Sequence, residues 1–100
     1  MPVVTVKHTF ILTRAKGRNM LFVWADAQVA DGESIYAKDL GLKTIYDAEV
    51  HSNNANIVAS GTVMYPGSYG NYITVHGSDV SGTVATAAGS FYAIIKALGI

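Results

Sequence analysis

The clearest pattern in the chain is an alternation of period two. Over residues 3–13, VVTVKHTFILT, the positions Val4, Val6, His8, Phe10 and Leu12 share one face, and Thr5, Lys7, Thr9 and Thr13 share the other. That is the signature of a half-buried strand. The charged segment AKGRN at 15–19 suits a hairpin loop, because Gly17 tolerates positive φ. Residues 20–30, MLFVWADAQVA, then set Leu21, Val23, Ala25, Ala27 and Val29 on one face and Met20, Phe22 and Trp24 on the other, before Asp26 and Gln28 restore polarity. Half of this second strand is apolar on both faces.

Weaker elements follow. Asp31-Gly32 is a turn signal, and SIYAKDLGL at 34–42 reads as a short strand or an irregular crossing in which Gly41 breaks any helix. In KTIYDAEVH at 43–51, Tyr46, Ala48 and Val50 oppose Asp47, Glu49 and His51, and the polar loop SNNAN at 52–56 ends that strand. The β-branched run IVASGTVMY at 57–65 leads through YPGSYGN at 65–71 into YITVH at 72–76, a second hairpin. GSDVSG at 77–82 reads as a loop. In residues 83–99, Val84, Ala88, Phe91, Ile95 and Leu98 fall at helical spacing, but Gly89 and the β-formers around it favour strand.

Strands spaced by turn signals roughly every ten residues, with no convincing helix, predict one all-β domain over residues 1–100. Its expected form is an antiparallel β-sandwich or partly closed barrel of about seven to eight short strands.

Composition sharpens the picture. Half of the 100 residues are hydrophobic and 14% are charged, a large apolar share for a small body whose folding hides roughly 60–65% of its surface. Some apolar surface is therefore expected to meet a partner. Seven basic and seven acidic residues cancel, which argues against nucleic acid or an anionic membrane as partner and favours self-association. With no cysteine there is neither a disulfide nor a thiolate metal site. The opening MPVVTVKHTF lacks the features of a secretion signal, and no run reaches membrane-spanning length, so synthesis in the cytoplasm without export is expected.

The candidate chemistry is thin. His8, His51 and His76 lie on three different predicted strands; His8 is expected at or inside the core margin and the other two at exposed strand ends. His76, Ser78 and Asp79 have the residue types of a nucleophilic triad, but crowded into one short segment they are poorly placed for the base to bridge nucleophile and acid. Asp47 and Glu49 lie about two strand rises apart, roughly 7 Å, near the separation of paired catalytic carboxylates, and a solvated strand face accounts for them more simply. GSYG and GSDVSG lack the lysine and helix start of a phosphate loop. No catalytic residue, metal or cofactor is assigned.

Two surfaces remain as candidate interfaces. Met20, Phe22 and Trp24 lie on a face that a small sandwich normally shows to water. Tyr65, Tyr69 and Tyr72 surround Pro66 at a hairpin tip and offer aromatic area for a sugar or protein. At the C-terminus, Phe91, Tyr92, Ile94, Ile95, Leu98 and Ile100 repeat the two-sided apolar pattern, and an unpaired edge there would invite aggregation.

The sequence of an opening VVTVKHTFIL strand, the segment MLFVWADAQVADGES, then GLKTIYDAEVHS and a closing VSGTVATAAGSFYAIIKALG resembles the small all-β virion accessory proteins of tailed bacteriophages. The resemblance covers most of the chain as a pattern and carries no motif from which a site transfers. It implies a non-catalytic structural role in the virion, as a capsid-decorating, cementing or tail-associated homo-oligomer that contacts a major capsid or tail protein. The alternative is a small carbohydrate- or protein-binding module.

Overall fold

A computed structural model describes residues 2–15, 18–65, 71–80, 86–87 and 89–100. The alternating segments form strands throughout: β1 (Val3–Ala15), β2 (Arg18–Val29), β3 (Ser34–Tyr36), β4 (Ile45–Ser52), β5 (Ile57–Met64), β6 (Tyr72–Asp79), β7 (Thr86–Ala87) and β8 (Phe91–Gly99). One four-stranded antiparallel sheet runs β1-β2-β8-β4. A three-stranded one runs β3-β6-β5, with the two-residue β7 beside β6. The barrel does not close. The expected all-β sandwich is what the chain builds.

The inner faces meet in one core. Val23, Ala25, Ala27 and Val29 of β2, Phe91, Ala93, Ile95 and Ala97 of β8, and Ile45 and Val50 of β4 pack against Ile35, Ile73 and Val75 of the second sheet. Across the β2–β8 ladder Val29 faces Phe91 and Ala25 faces Ile95, a larger side chain against a smaller one in each pair. Between the sheets the chain crosses at Asp31-Gly32, where Gly32 takes a φ of 85°. The Asp31 carboxylate accepts from Gly77 N at 2.9 Å. After β3, a single 3-10 turn (Ala37–Leu40) buries Ala37 and Leu40, and Gly41 ends it at φ 74°.

Close backbone approach at two glycines joins the parts. A side chain on Gly61 of β5 would press into Val50 and Ile73, and one on Gly99 would strike the Thr44 carbonyl, around which Ile100 N donates to Thr44 O at 3.0 Å. The buried Asn71 acts as a surrogate strand residue. Its Oδ1 accepts from Ile45 N at 2.8 Å, its Nδ2 donates to Ile45 O at 2.6 Å, and its own carbonyl accepts from Ala37 N at 3.1 Å.

Three expectations are corrected. First, β1 does not keep one phase: register shifts fall between Val6 and His8 and between Ile11 and Thr13. Val4 and Val6 oppose Ala27 and Ala25 of the inner face, whereas His8 and Phe10 oppose Trp24 and Phe22 of the outer face. His8 therefore lies on the outer face and not at the core margin: the extra residue at Lys7 is a β-bulge that turns His8–Ile11 over until the second shift restores the phase, and along the sheet edge residues 5–12 are exposed on both faces. Second, a register shift at Ile45/Asp47 does the same to Tyr46, which is exposed while Ala48 and Val50 point inward. Third, Gly77–Asp79 belong to β6 and not to a loop, and the first hairpin's strands run in to Ala15 and Arg18. The C-terminal strand is paired on both sides, since β8 sits between β2 and β4 with both ladders used. Strand over helix holds for 91–99; Val84 and Ala88 lie outside the described residues, as do Gly17, Pro66 and Tyr69.

Candidate interaction surface

The outer face of the four-stranded sheet is built by cross-strand rows. Phe10, Phe22, Leu98 and Asp47 form one row; His8, Trp24, Lys96 and Glu49 form the next; Asp26, Ile94 and His51 form a third. At the β1–β2 side the rings touch. His8 stacks on Phe10 with centroids 5.8 Å apart and meets Trp24 edge-on at 6.3 Å, while Phe10 lies 6.3 Å from Phe22. The Lys96 ammonium sits 5.5 Å over the Trp24 ring, within reach of its negative face. Toward β4 the face turns acidic, and a shallow groove of about 180 Å³ runs between Phe22 and Leu98 on one side and Asp47 and Glu49 on the other.

Trp24 keeps 39% and Phe10 49% of its surface in water, and Tyr92 on the same face keeps 63%. Met20, Phe22 and Trp24 share the outer face, as the alternation places them; Trp24 is exposed, and Met20 and Phe22 are half-buried. Sequence reasoning missed that His8, Phe10, Ile94 and Leu98 join them. Only the bulge and the central position of β8 bring those four into the cluster, and neither is visible in hydrophobic period alone.

The tyrosines fall differently. Tyr72 is half-buried and packs on Tyr36, ring centroids 5.4 Å apart, on the outer face of the second sheet. Tyr65 is exposed and donates its hydroxyl to Tyr46 O at 2.9 Å. Tyr69 lies outside the described residues, so of the three expected partners the structure places Tyr65 and Tyr72, each beside a tyrosine that the sequence reading had not singled out.

The candidate catalytic groups are spread over strand surfaces. His76 Nε2 lies 3.4 Å from Thr62 Oγ1 on the neighbouring strand. Ser78 shares that face, and alternation sends Asp79 to the opposite one. Asp47 and Glu49 stand exposed on β4, where Glu49 pairs with His51 at 3.1 Å. His8, His51 and His76 sit on β1, β4 and β6, and among the described residues no three His, Asp or Glu groups converge on a metal position. Elsewhere a cleft of about 520 Å³ opens between the far end of the first hairpin and the chain's C-terminus, lined by Asn19, Leu21, Gly41, Lys43, Thr44 and Ile100. Among the described residues that line it, Lys43 supplies the charged side chain.

Compared with protein-family models, curated proteins and solved structures, the chain matches none.

Proposed function

We propose that this protein is a structural, non-catalytic component of a tailed-phage particle, one that self-associates and decorates or stabilises the capsid or tail. The self-association half of the reading is carried by one observation: a contiguous aromatic and aliphatic surface, centred on Phe10, Phe22 and Trp24, lies uncovered on a chain of zero net charge. Contiguous apolar surface of that kind marks a contact site. The virion half rests on the sequence pattern described above, with assembly in the host cytoplasm.

Light scattering of the full chain across a dilution series tests the first half. A mass of two chains or more that falls on dilution, and that Trp24→Glu, which removes the ring His8 packs on, lowers while circular dichroism stays native, is the expected result; a monomer at high concentration overturns it. For the second half, mass spectrometry of purified particles is expected to find the chain in many copies per particle, and its absence from them would remove the virion assignment.

The tyrosines favour a second reading, a carbohydrate- or protein-binding module, because the Tyr36 and Tyr72 rings pack on each other and the exposed Tyr65 is held by its hydroxyl bond to the Tyr46 backbone carbonyl. Glycan-array binding lost in Tyr72→Ala would promote that reading over the first.

A further inference from the structure

The self-association proposed above leaves open which part of the chain meets which, and the sheet edges restrict the answer. Among the described residues five strands border the two sheets: β1 and β4 in one, and β3, β5 and the two-residue β7 in the other. β4 and β5, eight residues each, pack against one another, with Gly61 close against Val50. β3 is three residues long, and the chain at Gly32 and Glu33 continues its line by bonding Val75. That leaves β1, thirteen residues long, bonded to β2 on one side only.

A free strand of that length is a template for another strand unless it is guarded by charge, proline or brevity. β1 is weakly guarded. Over residues 3–12 its only lysine is Lys7, drawn back toward Asp26 of its own β2 at 3.8 Å. Ile11 keeps 65% and Leu12 55% of their surface in water. Because the other edge strands are all shorter, the long free edge that a second copy offers to β1 is its own β1.

We propose that two copies of this chain pair β1 to β1 in antiparallel fashion about a two-fold axis through Thr9, joining their four-stranded sheets into one of eight strands. The symmetry follows from the side-chain alternation. Opposed residues in an antiparallel ladder share a face, so a two-fold normal to the sheet must pass through a residue pair. The bulges at Lys7 and Leu12 leave His8–Ile11 as the uninterrupted stretch. Centring on Thr9 sets Thr9 against Thr9 and His8 against Phe10 of the copy, with no like charges opposed. It also repeats between chains the His8–Phe10 ring contact found within one chain, and it fuses the two aromatic surfaces into a single strip. Such a contact uses both edges and closes on itself, so it yields a dimer and not a fibre.

The absence of cysteine makes the test clean. In full-length Thr9→Cys under mild oxidation, the two thiols face each other at a directly opposed position, and near-complete disulfide-linked dimer is expected on a non-reducing gel. Val3→Cys, whose equivalents would lie about 40 Å apart in this register, is expected to stay unlinked. Thr9→Lys, which opposes two ammonium groups on the edge, is expected to raise the dissociation midpoint at least about tenfold with the monomer still folded. If the native chain assembles but Thr9→Cys does not cross-link preferentially over Val3→Cys and Thr9→Lys leaves the midpoint unmoved, the β1 pairing is wrong and self-association through another surface stands. If the native chain is a monomer and Thr9→Cys stays unlinked, both fall.

Discussion

The two outer faces of this sandwich make an instructive pair. Both belong to antiparallel sheets whose inner faces share one core, and both alternate with the same period. Yet the three-stranded sheet shows water a row of Ser34, Thr74 and Thr62 followed by His76 and Ser60, with Val58 at one end and Met64 and the Tyr36–Tyr72 pair at the other. The four-stranded sheet shows Phe10, Phe22, Trp24, Ile94 and Leu98. Stability of the fold asks only that the inner face be apolar; the outer face is free to vary, and a face that departs from the hydroxyl-rich default carries information about contact. The difference between the faces is therefore the strongest functional signal in the molecule.

The comparison presupposes that the sheets hold together, and the largest effect comes from breaking that. Asn71→Leu leaves the buried Ile45 N–H and C=O without partners, each costing about 1–3 kcal/mol, so a loss of about 3–5 kcal/mol in urea unfolding is expected, with both faces lost together. Gly99→Ala forces the Thr44 carbonyl away from the end of β8, and a loss of about 2–4 kcal/mol is expected from the same titration.

On the outer face of the four-stranded sheet the effect moves from stability to association. Trp24→Glu removes part-buried ring area and the contact with Lys96, while Glu can pair with that lysine; about 1–2 kcal/mol is expected in unfolding, together with a drop in solution mass. Retained mass would show that the aromatic cluster is not the contact. The matched change on the other face, Thr62→Glu, is expected to shift stability by less than about 0.5 kcal/mol and leave the mass unaltered. If instead it alone disrupts assembly, the two faces have been assigned the wrong way round.

The crossing between the sheets adds a pH dependence. The Glu33 carboxylate accepts from Ala30 N at 2.7 Å, and that bond is the main cause holding its pKa below the ordinary value of 4.5. A lowered folded-state pKa contributes stability that is present above the unfolded pKa and is lost as pH falls through the folded one. Thermal midpoints should therefore fall in acid below about 4.5, and Glu33→Gln should lessen that fall by a small amount.

How much was legible in advance differs along the chain for a physical reason. The two faces of β2 were read correctly from Met20 to Val29, because the strand is paired on both sides and its inner row, Val23 to Val29, is buried without interruption. Burial on one face pins the register, and the sequence must carry the matching period. β1 was read correctly as a strand but wrongly as to faces. Each of its bulges costs one residue of register and no hydrophobicity, so His8 and Phe10 change sides with no trace in the apolar period. The outer-face residues Met20, Phe22 and Trp24 were found from β2 alone; their companions Leu98 and Ile94 required knowing that the last strand inserts between β2 and β4. The tyrosine pairs Tyr36–Tyr72 and Tyr46–Tyr65 likewise join residues 36 and 19 positions apart, which no local pattern encodes.

Alone, then, the sequence determined the local alphabet of this protein: all strands, two hairpins, an uncysteined core, zero net charge, and a surplus of apolar side chains. Local propensity and period-two burial act over a few residues and are written there directly. Tertiary structure decided which strand became the free edge, which rows met across the sheets, and which face His8 and Phe10 took after the β1 bulge. Those outcomes depend on long-range pairing energies and on single-residue shifts of register, and these exist only once distant segments have met.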